Sequence, residues 1–138
     1  TVNLAARLEP AAKQYGVYNF VANNTYKAVK DQFEWRLLDY LVGKGKKEPV
    51  KAYELVSLKG EMSREQSELV SAFNEGLDLY FKQEWKNALN KFKQASELEE
   101  DFLYRPTTPS KIYIERCEAF LKKPPSKDWN GVWAMKTK

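Results

Sequence analysis

The chain has 138 residues, of which 43% are hydrophobic, so it is long enough and apolar enough to bury a core. Its net charge is only +4, centred on KGKK at 44–47, which is too weak to predict a nucleic-acid-binding surface. One cysteine and no histidine exclude an internal disulfide and a Cys/His zinc site. No apolar run in the sequence approaches the length that crosses a bilayer.

The first predicted helix begins at an N-cap on Asn3, after which apolar residues recur at helical spacing. Pro10 is expected to kink or restart this helix, because proline has no backbone N–H to donate. Gly16 is well placed to end it. The stretch VYNFVA (17–22) then predicts a short buried strand.

A second helix is expected to follow, capped by Asn23 or Asn24, with an apolar face made of Tyr26, Val29 and Phe33. FEWRLLDYLV (33–42) alternates in two registers, which predicts a strand with a bulge at its mid-point. GKGKK interrupts this strand, and Pro49 opens a last strand over 50–56, where a strand-initial proline is tolerated. The mixed order of elements predicts an incomplete α+β unit that needs partners from elsewhere to complete its sheet.

Residues 57–62 are predicted to be a linker, after which the pattern is helical. Ser63 with Gln66 predicts a capping box, and the helix behind it has one apolar face: Leu69, Ala72, Phe73, Gly76, Leu77 and Tyr80. A second helix is expected over roughly 84–98, with the inward residues Trp85, Ala88, Leu89, Phe92 and Ala95. RPTTP is predicted to be a loop, and a third helix is expected over 112–120.

Two residue types outside these patterns suggest chemistry but have simpler interpretations. Cys117 neighbours the apolar Ile114 and Phe120 on the third helix, which favours a buried structural thiol over a reactive one. Trp129 and Trp133 have rings that can stack on nucleotide bases, but anchoring a tail is the commoner use of tryptophan.

Three blocks of the first part, TVNLAARLEPAAKQYG, NTYKAVKDQFEWRLLD and GKGKKEPVKAYEL, closely resemble the C-terminal third of the catalytic domain of bacterial class III adenylate/guanylate cyclases. They occur in the family's order and spacing and cover about residues 1–56. The resemblance implies part of a ferredoxin-like α/β unit. The predicted organisation is therefore this cyclase portion over 1–56, the linker, a helical segment over 63–123, and a Trp-containing tail over 124–138.

The resemblance also implies site residues. In the family, the Asn and Arg of this motif lie on one turn of a helix, as Asn3 and Arg7 do here at i and i+4. Asn3 would orient the ribose, and Arg7 would stabilise the phosphoryl oxygens as the ribose 3′-oxygen attacks the α-phosphorus. Lys44, between two glycines, would bind the triphosphate. Without the resemblance, these residues would be interpreted as a helix cap, a solvated arginine and a charged hairpin turn.

The family's remaining site residues are expected to lie before Thr1. Two aspartates that bind Mg or Mn, and the residues that choose ATP over GTP, belong to that earlier region. Glu9, Asp31 and Asp39 match none of the metal positions. The site forms at a dimer interface, so the resemblance implies a homodimer through the cyclase unit. The 138-residue segment alone is predicted to have no turnover. Its cyclase portion is expected in the cytoplasm, in a parent that is often membrane-anchored through upstream segments.

The helical part resembles a tetratricopeptide repeat, because Gly76, Ala88, Phe92 and Ala95 fall at its small and aromatic positions. Ala72, Glu75 and Glu100 occupy positions where the repeat usually has Trp, Leu and Pro. The predicted fold is thus a helical hairpin with a capping helix. It either stabilises the catalytic domain or is a non-catalytic module that binds a protein partner or drives dimerisation.

Overall fold

A computed structural model describes residues 14–17, 19–41, 49–99 and 107–133, and the structural statements below concern these residues. The fold is mixed α+β, as predicted. Its elements in chain order are β1 Val21–Ala22, α1 Asn23–Val29, β2 Phe33–Leu41, β3 Val50–Leu58, α2 Arg64–Phe81, α3 Trp85–Leu98 and α4 Pro109–Lys122.

The three described strands form an antiparallel sheet in the order β1-β3-β2. The predicted bulge in β2 is confirmed, because Leu37 pairs with Tyr53 and Asp39 pairs with Ala52, which leaves Leu38 as the extra residue. A second register shift lies between Glu34 and Trp35. The two registers of FEWRLLDYLV therefore arise from a backbone irregularity within one strand.

The predicted strand over 17–22 is too long, since only Val21–Ala22 is paired as a strand. Asn19 explains the difference. Its side-chain amide donates to the carbonyl of Leu55 at 3.0 Å and accepts from the Leu55 amide at 2.7 Å. A side chain thus replaces the backbone ladder at this point. In the other direction β3 extends to Leu58, two residues into the predicted linker.

The predicted Asn cap of α1 is wrong. The helix begins at Asn23 directly after β1, its N-cap is Ala22, and no side chain caps it. The side chain of Asn24 instead accepts from the next amide, that of Thr25. Phe33 is also not on the helix face, because a 3-10 turn over Lys30–Gln32 intervenes and Phe33 starts β2 with extended backbone.

The helices of the second part are close to those predicted. The capping box is present, with the Gln66 amide donating to the Ser63 hydroxyl at 3.0 Å and the Ser63 amide donating to the Gln66 side chain at 2.9 Å. A Cβ added at Gly76 would lie 2.8 Å from the Phe92 ring, so glycine allows α2 and α3 to approach closely. The last helix begins three residues earlier than predicted, because Thr108 caps it and Pro109 takes its first turn.

The buried apolar residues form two neighbouring clusters, one in the helical part and one at the sheet. The larger one joins α2, α3 and α4 around Phe73, Tyr80, Phe92 and Tyr113. The smaller one joins the sheet to the preceding segment: Tyr15, Val17, Phe20, Leu38 and Ala52. Leu37 of β2 packs on the helical cluster and Ile112 of α4 packs on the sheet cluster, so the two parts share an interface. Within the described ranges, none of the helices combines the length and apolarity needed to span a membrane.

Candidate functional site

The residues that the resemblance implies for catalysis, Asn3, Arg7 and Lys44, lie outside the described residues. The structure describes the chain next to each of them. On one side are the helical residues Gln14 and Tyr15, which follow the segment that contains Asn3 and Arg7. On the other side β2 runs up to Leu41, shortly before Lys44. The side chains that join these two stretches form the site described here.

Gly16 ends the first helical stretch, as predicted, in the left-handed conformation with φ +73°. A Cβ at this position would lie 1.9 Å from the carbonyl oxygen of Thr107. Glycine is therefore required twice, by the backbone angle and by the contact with the segment before α4. This contact places Tyr15 against the helical part of the molecule.

The bulge in β2 sets the position of Asp39. Strict alternation would direct Leu38 and Asp39 to opposite faces of the sheet, yet both side chains are fully buried. The Asp39 carboxylate is thereby enclosed between the sheet and α4. It also accepts a hydrogen bond from the Tyr40 amide at 2.8 Å.

Two tyrosines from opposite ends of the chain donate to Asp39. Tyr15 donates its hydroxyl to Oδ2 of the carboxylate. Tyr113 of α4 donates to Oδ1 at 3.0 Å and to the carbonyl oxygen of Leu38 at 2.6 Å. Burial, with the nearby Asp39 charge, raises the pKa of both tyrosines well above 10.0, so both hydroxyls remain protonated donors at neutral pH.

Arg116 of α4 supplies the charge that balances Asp39. Its Nη1 lies 2.9 Å from Oδ2 of the carboxylate and forms an ion pair with it, without the geometry of a hydrogen bond. Its Nη2 donates a hydrogen bond to the Tyr15 hydroxyl at 3.3 Å. The guanidinium also lies against three rings, 4.8 Å from the centroid of Tyr113, 5.2 Å from Trp133 and 5.9 Å from Tyr15. Burial lowers the pKa of Arg116, but Tyr113, Asp39 and Tyr15 raise it more, so the group stays charged.

A second buried arginine, this time from the sheet, contacts a carboxylate of the helical part. Arg36 of β2 donates from Nε to Glu54 of β3 at 2.9 Å and from Nη2 to Glu99, at the end of α3, at 2.6 Å. Glu99 in turn accepts from the Ser110 hydroxyl at 2.7 Å at the start of α4. Arg36 is 2% exposed, and its guanidinium lies 4.7 Å from the centre of the Phe73 ring. The sheet thus contributes Arg36 to Glu99 of the helical part, and the helical part contributes Arg116 to Asp39 of the sheet.

The Arg36 cluster has one arginine for two carboxylates. Burial raises the pKa of Glu54, and Arg36 only partly offsets this effect. Burial lowers the pKa of Arg36, while Glu54 and Glu99 raise it, with a net increase. Burying such charges costs several kcal/mol for each ion, and the contacts of Arg36 with Glu54 and Glu99 offset part of this cost.

The described residues offer no group of three or more His, Cys, Asp or Glu side chains that would hold a metal ion. The buried carboxylates of Asp39 and Glu99 and the half-buried carboxylate of Glu54 instead contact arginines. The family's metal positions are expected outside this segment, so any bound Mg or Mn would be held by other residues.

The buried ionic residues were missing from the predicted site. The sequence predicts no role for Asp39, which matches none of the family's metal positions. The sequence holds a signal for them, because Arg36 and Asp39 lie among the apolar residues Trp35, Leu37, Leu38 and Tyr40 of one strand. Charged residues in such a strand are buried only when they have partners. Nothing in the sequence identifies Glu99 or Arg116 as those partners, since they lie in distant helices.

Comparison with known protein sequences finds a relative of this chain. The chain is 32% identical over 125 residues to an adenylate cyclase of Dictyostelium discoideum described as terminal-differentiation specific. It is related to a cyclase. The match covers 88% of this chain but only 6% of the length of that protein. No family model matches the chain, and no solved structure matches it.

The extent of this match bears on the helical part. Residues 1–56 are fewer than half of the 138 residues, so a match over 88% of the chain must continue into the helices. The cyclase relative therefore shares sequence with both parts of the chain. The resemblance to bacterial cyclases and to a tetratricopeptide repeat is not tested by this relative and stays a prediction.

The sequence predictions for Cys117 and for the tryptophans of the tail are confirmed. Cys117 is fully buried, and burial raises the pKa of its thiol to about 12, as expected for a structural cysteine. Trp129 packs on the helical core beside Tyr80 and Trp85, and its indole donates to the carbonyl of Val132 at 2.8 Å. The tail is thus anchored by tryptophan.

Proposed function

We propose that this chain is a C-terminal segment of a class III adenylate cyclase, which converts ATP to cyclic AMP and pyrophosphate in the cytoplasm, and that residues 1–56 are its portion of the catalytic domain. The observation that carries the proposal is the 32% identity to an adenylate cyclase along 88% of the chain. The three sequence blocks within residues 1–56 agree with it. The substrate is ATP in this proposal, with GTP as the alternative nucleotide.

In the proposed reaction the chain supplies the residues that stabilise the transition state. Asn3 orients the ribose so that its 3′-oxygen attacks the α-phosphorus in line. Arg7 stabilises the negative charge that develops on the phosphoryl oxygens, and Lys44 binds the β- and γ-phosphates of the departing pyrophosphate. Mg or Mn, held by aspartates outside this segment, would activate the 3′-hydroxyl and neutralise phosphate charge.

The described geometry supports this assignment through Tyr15 and Asp39. Tyr15 follows the segment that contains Asn3 and Arg7, and Asp39 lies in β2, which ends at Leu41, three residues before Lys44 in the sequence. A direct hydrogen bond joins their side chains. A site that needs Arg7 and Lys44 to contact one nucleotide requires these two stretches to lie side by side.

The test uses the longer protein that includes the metal-binding aspartates. Arg7→Ala is expected to lower kcat for cyclic AMP formation by about 100- to 1,000-fold with little change in KM, because the lost interaction acts in the transition state. Lys44→Ala is expected to raise KM for ATP. The matched control is Arg64→Ala, since Arg64 is an exposed arginine on α2 paired only with Glu68. An unchanged kcat for Arg7→Ala would falsify the assigned role.

A second function, in which the helical part binds a protein partner, is favoured by a groove between α2 and α3. The groove has a volume of about 730 Å³ and a mostly polar lining that includes Ser67, Ser71, Gln94 and the ion pair of Glu75 with Lys91. The tetratricopeptide-like spacing would suit such a groove. The homodimer expected from the resemblance would form through the cyclase unit instead.

Deleting residues 63–138 would not test this second function, because the deletion also removes Arg116 and Glu99 from the buried interface. Substitutions in the groove, Glu75→Arg and Gln94→Arg, leave that interface intact. Loss of a defined partner with unchanged cyclase activity would support a separate binding module. Retained binding in both variants would exclude the groove as its surface.

A further inference from the structure

We propose that Arg116 is a positioning residue of the cyclase half-site, so that the helical part of the chain sets the geometry of the catalytic residues. The inference rests on the proposed function, and it assigns to α4 a role beyond packing. The residue lies far in sequence from Asn3, Arg7 and Lys44. Its guanidinium nevertheless contacts both of the stretches that lead to them.

The contacts of Arg116 are divided between these two stretches. Nη2 donates to the Tyr15 hydroxyl at 3.3 Å, and Tyr15 ends the helical stretch after Arg7. Nη1 lies 2.9 Å from Asp39, in the strand that leads to Lys44. The hydrogen bond from Tyr15 to Asp39 closes a triangle of three side chains. A shift of α4 therefore changes the relative position of the two stretches.

The triangle is well suited to transmit position because it is buried and charged. Arg116 is 6% exposed and Asp39 is 0% exposed, so water does not compete for their contacts. The rings of Tyr113 and Trp133 confine the guanidinium from its sides. The Tyr113 hydroxyl also holds the carbonyl oxygen of Leu38, at the bulge. Few other orientations of the three side chains would keep these contacts.

The second buried arginine has different contacts. Arg36 hydrogen-bonds to Glu54 and Glu99 and so joins β2 and β3 to the end of α3. None of its hydrogen bonds in the described part of the chain goes to Tyr15 or Asp39. We assign Arg36 to the attachment of the helices, and Arg116 to the alignment of the two stretches that lead to the catalytic residues.

The experiment uses the longer active protein with Arg116→Met and Tyr15→Phe, assayed at a temperature where circular dichroism shows each variant fully folded. A misplacement of about 1 Å at a reacting group can cost 100-fold in rate. We expect kcat per folded molecule to fall about 10- to 100-fold for Arg116→Met and several-fold for Tyr15→Phe. Tyr15→Phe removes only a hydroxyl, so it keeps the test decisive if Arg116→Met does not fold.

Leu77→Ala is the matched control for lost stability. Leu77 is a buried residue of α2 in the helical cluster, to which Tyr15, Asp39 and Arg116 do not belong. The control is expected to lower the melting temperature while leaving kcat within twofold. Arg116→Lys keeps the charge opposite Asp39 but loses the planar fork, so it is expected to recover only part of the rate. A kcat within twofold of the unmodified protein for both Arg116→Met and Tyr15→Phe overturns the proposal.

Hydrogen exchange of the 138-residue chain provides a readout that does not depend on turnover. Arg116→Met is expected to accelerate exchange at residues 14–17 and 33–41 more than Leu77→Ala does, and equal acceleration argues against positioning. Arg7→Ala distinguishes a failure of the proposed function from a failure of this inference alone. If Arg7→Ala leaves the rate unchanged, the proposed function fails. If it abolishes the rate while Arg116→Met and Tyr15→Phe do not alter kcat, only this inference fails.

Discussion

The Arg116 guanidinium lies 2.9 Å from the Asp39 carboxylate, so a late helix and a strand of the sheet share a buried ion pair. Removing one partner of such a pair leaves the other charge buried without compensation. We expect Asp39→Ala to lower the free energy of unfolding by about 3–5 kcal/mol. Urea denaturation followed by tryptophan fluorescence measures this loss.

A double-mutant cycle distinguishes the ion pair from general packing. The variant that combines Asp39→Ala with Arg116→Met is expected to lose less stability than the sum of the two single variants, because it leaves neither charge unpaired. Glu68→Ala, which breaks the exposed pair with Arg64, serves as the surface control and is expected to cost far less. Additive losses at Asp39 and Arg116 would contradict a direct interaction.

Gly76 of α2 is predicted not to tolerate a larger residue. Alanine has the higher helix propensity, worth roughly 1 kcal/mol, but its Cβ would meet the buried Phe92 ring at 2.8 Å. Because overpacking a core costs about 1–3 kcal/mol, we expect a net loss of stability for Gly76→Ala. Asn74→Ala, at an exposed position of the same helix, is the control and is expected to be neutral or stabilising. A higher melting temperature for Gly76→Ala would show that α2 and α3 are not so closely packed.

Alkaline pH is predicted to destabilise the fold through its buried tyrosines. Burial raises the pKa of Tyr15, Tyr80 and Tyr113 above the ordinary value of 10.0. The folded state therefore holds protons that the unfolded state releases. Their contribution is fully present below pH 10 and is lost as the pH rises above it. The urea concentration at which half of the protein is unfolded, measured from pH 8 to 11, is expected to fall steeply only above about pH 10.

Tyrosinate absorbance tests the same groups directly. Fewer than the eight tyrosines of the chain should ionise before the protein unfolds, and the remainder should ionise together with unfolding. Tyr113→Phe is expected to make the loss of stability above pH 10 less steep, because one buried hydroxyl no longer titrates. Complete ionisation of all tyrosines in the folded protein would refute their burial.

Cys117 is predicted to be unreactive in the folded protein. Its side chain is fully buried, and burial raises the pKa of the thiol to about 12, so almost no thiolate is present at neutral pH. A disulfide reagent such as dithionitrobenzoate is expected to react only as fast as the protein opens, and rapidly in urea. Labelling at the rate of a free thiol in native buffer would contradict this placement.

The local features of the fold were predictable because short-range chemistry decides them. The capping box of Ser63 and Gln66, the end of a helix at Gly16 and the bulge in β2 each depend on residues within a few positions of one another. The apolar spacing also predicted the buried faces of α2 and α3, and the structure brings Gly76 of the one against Phe92 of the other. Predictions failed where a side chain took a backbone role, as Asn19 does beside β3.

The sequence alone predicted most of the described elements, and its resemblance to a cyclase over residues 1–56 suggested the candidate residues Asn3, Arg7 and Lys44, which stay predictions. Only the tertiary structure decided that the helical part is joined to the sheet by buried charges. Arg36 meets Glu99, and Arg116 meets Asp39 and Tyr15, across long stretches of chain. Local propensity carries no information about such pairs, since the cost of burying each charge is offset only by a partner that folding brings into contact.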